Sequence, residues 1–179
     1  MTNARQATHF TIAALSATAL FAAFFVAGSA DAAVYSGGSK TNTFDVTMKI
    51  IADCTIGANP LDFGQSQGVL STNVTVNTSL NVTCTNTTPY NVGLTAGTGA
   101  GSTTAARLMS GTGGNTSTVA FNLNMTAGGG NWGNTQGTDT LSGTGTGVSQ
   151  SHTVYGIVPA QSTPQPDTYK STITATVYF

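Results

Sequence analysis

Apolar side chains fall on every second residue through much of this chain beyond position 43, and a period of two is the mark of pleated strand with one buried face. Phe44, Val46, Met48 and Ile50 alternate with Asp45, Thr47 and Lys49. Val74 and Val76, then Leu80, Val82 and Cys84, alternate with Thr and Asn, and Val92 and Leu94 follow Pro89-Tyr90. Val119, Phe121, Leu123 and Met125 repeat the pattern. So do His152 to Val158, closed by Pro159, and the final Ile173, Ala175, Val177 and Phe179. Gly- and Asn-rich stretches at 97–104, 111–117 and 127–138 separate these runs and read as turns. Strands at such spacing predict an all-β antiparallel sandwich rather than a βαβ array. Thr103–Leu108 is the one weak helical candidate.

Composition supports the same class. Of 179 residues only 6% are charged, none is Glu and 34 are Thr. Long surface helices need Glu, Lys, Arg and Gln, whereas Thr and Val suit pleated sheet. Disorder requires low hydrophobicity with high net charge, and this chain is 39% hydrophobic with a net charge of −1. Five basic residues leave no electrostatic footprint for a phosphate backbone, so no nucleic-acid partner is expected.

The first 32 residues read as a targeting segment. Arg5 lies in a short polar start, an apolar run follows from Phe10 to Gly28, and Ala30-Asp31-Ala32 presents small residues where a signal peptidase reads. Nineteen apolar residues would also be long enough to span a bilayer, so a retained anchor is the alternative; the cleavage site and the lack of a basic flank favour removal after Ala32. The expected organisation is a signal peptide at 1–32, an N-terminal extension at 33–51 and one domain at 52–179. Export then bears on the cysteines. Cys54 and Cys84 are the only two, and an oxidising compartment predicts their disulfide over two free thiols. Closing that loop is worth about 3.6 kcal/mol in the chain-entropy model. With His152 the only histidine beyond the signal segment, no metal and no other cofactor is expected.

Both ends of the exported chain are unusual. A Gly/Ser leader feeds an expected amphipathic strand from Phe44 to Ile51, about 26 Å long at ~3.3 Å per residue. The last strand runs to Phe179 with no charge after Lys170, so no following strand covers its edge. An open apolar groove beside it is one expectation, because exposed edges are normally covered or charged. Internal pairing of the two terminal strands is the other.

Catalytic patterns are weak. Gly64-Gln65-Ser66-Gln67-Gly68 matches a nucleophile elbow, with Asp139 and His152 following in order, but a strand pattern follows where the elbow needs a helix. Glycosidase chemistry would need two of Asp45, Asp53, Asp62, Asp139 and Asp167 to converge, with Trp132 the lone tryptophan. Gly143–Gly147 lacks the lysine of a phosphate-binding loop and reads as a turn. Sequons at Asn73-Val74-Thr75 and Asn81-Val82-Thr83 lie on expected strands and take no assigned role. Neither an enzyme nor a small-molecule substrate is expected.

Several residues in order carry a resemblance. They are the amphipathic strand leading to Cys54, Leu61-Asp62-Phe63-Gly64, Val82-Thr83-Cys84 and Pro89-Tyr90-Asn91-Val92. Arg107-Leu108-Met109-Ser110-Gly111, Val154-Tyr155-Gly156 and Tyr169 with Tyr178-Phe179 complete the set. Together they resemble the spore coat U domain family of archaic (Csu-type) chaperone–usher pilus subunits; Asp167 and Ser171 depart from the family's Gly and Asp around the Tyr. The resemblance implies an immunoglobulin-like sandwich lacking its last strand and completed by a donated one. It implies export through the periplasm to the cell surface, with a periplasmic chaperone, an outer-membrane usher and other pilin subunits as partners, and service in adhesion or biofilm formation. By the same analogy Phe44, Val46, Met48 and Ile50 are donor plugs, and Ile173, Ala175, Val177 and Phe179 belong to the acceptor wall. A tip or minor adhesin subunit, and a closed monomeric coat or matrix protein, are the alternative readings.

Overall fold

The computed structural model describes residues 37–65 and 68–179. The signal segment at 1–32, the cleavage site and Ser66 of the elbow-like pentapeptide lie outside the described residues. The chain divides into two units, Met1–Val46 and Thr47–Phe179. Of the first, residues 37–46 are coil with every residue exposed.

Ten strands build the second unit: β1 (Cys54–Ala58), β2 (Val74–Cys84), β3 (Pro89–Leu94), β4 (Arg107–Gly111), β5 (Thr118–Thr126), β6 (Gly129–Asn131), β7 (Leu141–Thr144), β8 (Gln150–Val158), β9 (Tyr169–Lys170) and β10 (Ala175–Tyr178). They form two sheets in which every pairing is antiparallel. The larger runs β1-β2-β8-β5-β4-β9 with β6 beside β5, and the smaller runs β10-β3-β7. The alternating residues behave as their period demands. Leu80, Val82 and Cys84 of β2, Val154 and Val158 of β8, and Val119, Phe121 and Leu123 of β5 enter a core met from the other sheet by Tyr90, Val92 and Leu94.

Two buried residues come from stretches without that period. Trp132 is 0% exposed in the turn-rich 127–138 segment, and its Nε1–H donates to the Val92 carbonyl at 2.7 Å. Arg107 is 1% exposed. Its guanidinium donates to the carbonyls of Leu94 (2.9 Å), Trp132 (2.6 Å), Thr95 (3.0 Å) and Thr104 (2.9 Å). A buried charge is tolerable only when so fully bonded. Burial pushes its pKa down to about 10, against the pull of Asp139, so it stays cationic at neutral pH.

Three expectations are corrected. Thr103–Leu108 forms no helix: β4 begins at Arg107, paired with β5 and β9, because cross-strand partners outweigh a weak local preference. Gly143 and Thr144 belong to β7 rather than to a turn, laid against Tyr90 and Pro89. Residues 44–51 are exposed coil rather than a strand, since no ladder among the described residues takes them up. Cys54 and Cys84 face each other as a directly opposed pair of β1 and β2 and are disulfide-bonded, Cα to Cα 4.1 Å.

Candidate strand-acceptor groove

β10 bonds to β3 along one side only: Ala175 opposes Leu94 and Val177 opposes Val92. It is the last strand of its sheet, so the amides and carbonyls of its other side have no ladder partner among the described residues. Close to it lies β1, the edge strand of the larger sheet. Where β1 ends at Ala58 and β10 begins at Ala175 the core opens to the surface. A cavity of about 540 Å³ is walled by Leu80, Leu94, Phe121, Leu123, Ile173 and Ala175. A second of about 680 Å³ continues towards Leu70, Val119 and Val158, and Leu61, Phe63, Met109 and Tyr169 border both.

The rim comes from two loops. The β1–β2 connection folds Leu61 and Phe63 over the sheets, with Phe63 edge-on to Phe121 at 6.4 Å between ring centres. Gly156 of β8 lets them sit there, since a Cβ at that position would come within 2.7 Å of Leu61. Asp62 ties the loop by accepting the Gly64 amide at 2.8 Å. On the other side, residues 159–174 carry the chain from β8 through β9 to β10. Asp167 fixes this strap by accepting from the Gly113 amide at 2.9 Å and from the Asn115 side chain. Tyr169 donates to the Gln165 carbonyl at 2.6 Å. The departure from the family pattern at 167 therefore has a structural use.

The residues read as acceptor wall divide. Ile173 and Ala175 line the groove. Val177 packs against the core, and Phe179 is 58% exposed beyond the end of β10. The periodic pattern does not single out Leu61, Phe63, Met109 and Tyr169, which come from loops and short strands. Phe44, Val46, Met48 and Ile50 are 85%, 85%, 84% and 74% exposed, an apolar row without cover.

The polar candidates are not brought together as a relay. His152 Nε2 lies 2.8 Å from the Tyr90 hydroxyl, which is 3.3 Å from Gln150 Oε1. Burial lowers the His152 pKa and raises that of Tyr90. Asp139 instead holds its own turn, accepting the Thr135 amide at 2.6 Å.

Two antiparallel sheets, an apolar core between them and one edge left open define an immunoglobulin-like sandwich of the pilin type. The chain belongs to the Spore Coat Protein U domain family, whose model matches residues 40–176. Among solved structures it is similar to a chain of the chaperone–tip adhesion subunit pre-assembly complex CsuC–CsuE, from the archaic chaperone–usher Csu pili of Acinetobacter baumannii. The TM-score is 0.54 and the identity 21%; the match covers 73% of this chain and 40% of that one, less than half its length. It also matches the E. coli Hda pilus minor tip subunit HdaB at 16% identity and a TM-score of 0.38, over 70% of this chain and 79% of that one. No curated protein matches.

Proposed function

We propose that this chain is a structural subunit of a secreted surface pilus, and that residues 44–50 of one copy fill the groove of the next. The observation that carries this reading is the pairing of two complementary defects in one chain. One is an apolar groove beside the free edge of β10; the other is an exposed segment with an apolar residue at every second position. A strand laid against β10 bonds its backbone and drops alternate side chains inward, which is β-augmentation. Burying four such side chains at ~1.5–3 kcal/mol each gives roughly 6–12 kcal/mol of gross hydrophobic gain per joint.

Before assembly the same groove needs a cover. A periplasmic chaperone supplies it, and an outer-membrane usher exchanges the chaperone for the next subunit on the way to the cell surface. The family membership and the likeness in fold to a chain of a chaperone–subunit complex support these partners. The role is one of construction rather than catalysis, since His152 and Asp139 are each committed to separate structural contacts. The exposed segment at 44–50 favours a fibre subunit over a closed monomer, in which it would be paired within the chain. Val46→Asp tests the reading. The variant is expected to fold and bind chaperone yet give no fibres by electron microscopy; normal fibres would overturn the donor assignment.

A further inference from the structure

Alternating apolar plugs choose which face of a donor strand points inward, but they do not choose its register. A slide of two residues keeps every plug on the buried face. Charge is the other source of selection, and this chain has little of it. Beyond residue 53 its only cations are Arg107 and Lys170. Arg107 is buried with its guanidinium bonded to carbonyls. Lys170 is exposed, held in the ladder opposite Ser110 and set on the groove wall with Ser171, Thr172, Ile173 and Ala175. The one exposed Lys or Arg beyond residue 53 thus stands on the rim of the acceptor groove. The N-terminal segment carries the charges that would pass it: Lys40, Asp45, Lys49 and Asp53, all exposed.

We infer that Lys170 sets the direction and register of the incoming strand by pairing with Asp53 of the next copy; this rests on the donor reading above. An antiparallel strand, the only kind this protein uses, that places 44 opposite 179 also places 46 opposite 177, 48 opposite 175 and 50 opposite 173. Continued outward past the β10 ladder, the same count brings Asp53 level with Lys170, on β9 of the larger sheet. Asp53 has the same phase as the outward-facing polar residues of its segment; its main chain is bonded to Thr85 of its own domain, and of its carboxylate only Oδ1 is engaged, by the Cys54 amide at 3.0 Å, so it reaches the next copy as a side chain beyond the ladder. The wrong arrangements are penalised. A slide of four residues puts Lys49 opposite Lys170, and a parallel strand with its plugs in phase brings the neutral Thr41 there and forfeits the pair. Like charges facing across a ladder destabilise the pairing, and opposite charges favour it. An exposed pair is worth at most about 5-fold in an equilibrium, so its effect lies in selection rather than in joint strength.

The test is a charge swap read by the rate of fibre extension at low salt. Lys170→Glu alone is expected to slow extension by about 5-fold. Asp53→Asn, which keeps an acceptor for the Cys54 amide, is expected to slow it less. Combining Lys170→Glu with Asp53→Lys is expected to restore the rate, and added salt to erase the differences. Unchanged melting temperatures of the unassembled variants confirm that folding is intact. Wild-type extension by Lys170→Glu at low salt, or a double variant no faster than Lys170→Glu, would overturn the pairing. Val46→Asp run in parallel separates the two claims. If it stops extension while the Lys170 variants do not matter, only the ion pair falls; if it extends normally, the donor reading falls with it.

Discussion

Arg107 is buried and holds three parts of the fold together. Its guanidinium ties β3, the 95–104 loop and the Trp132 segment through their main-chain carbonyls. Arg107→Met fills similar space but strands those acceptors, at about 1–3 kcal/mol for a buried group left unmade. We expect a loss of about 3 kcal/mol or more, measured as the shift in a urea-unfolding midpoint. His152 makes a separate prediction. Burial lowers its pKa in the folded state below the ordinary 6.5, so the unfolded chain binds the proton more readily. Stability is therefore full above about pH 6.5 and declines as pH falls below it towards the folded value. His152→Gln should flatten that part of the stability–pH curve. An unchanged slope would show that the imidazole near Tyr90 does not govern it.

Among the elements, β1 is the hinge of the account, because it begins where the N-terminal segment ends and is bonded to β2 at its first residue. Tension arriving through residues 44–53 meets the Asp53–Thr85 hydrogen bonds and then a covalent cross-link at the first rung of the β1–β2 ladder. Cys54→Ser with Cys84→Ser is expected to cost about 3 kcal/mol, seen as a lower unfolding midpoint than that of the wild type under oxidising conditions. An equal midpoint would remove the disulfide from the stability of the domain. The long strands β2, β5 and β8 are legible in the sequence because each has a buried and an exposed face that alternate. The short strands β4, β6 and β7 are not, since stretches such as Gly129-Gly130-Asn131 have no local preference for sheet and take their pairing from the surrounding fold. The groove is half legible for the same reason. Ile173 and Ala175 lie on a periodic run, whereas Leu61, Phe63, Met109 and Tyr169 are gathered by topology from three separate places. Trp132 and Arg107 escape a reading based on period because a single residue has none.

At the scale of the molecule, an open core and a scarcity of charge belong together. A chain with 6% charged residues lacks the like-charge repulsion that keeps ordinary proteins apart, and its Thr-rich strands give it a neutral exterior. The subunit alone leaves apolar groove and apolar segment uncovered, so its stability rises with the concentration of whatever fills the one and shields the other. The most direct test places a photo-cross-linking side chain at position 46 in assembled fibres made from a mixture of isotope-labelled and unlabelled chains. Mass spectrometry should then find position 46 joined to groove peptides carrying Ile173 and Ala175, in products that combine labelled with unlabelled chains. Cross-links confined to a single chain, or falling on the outer face of the sandwich, would contradict the account.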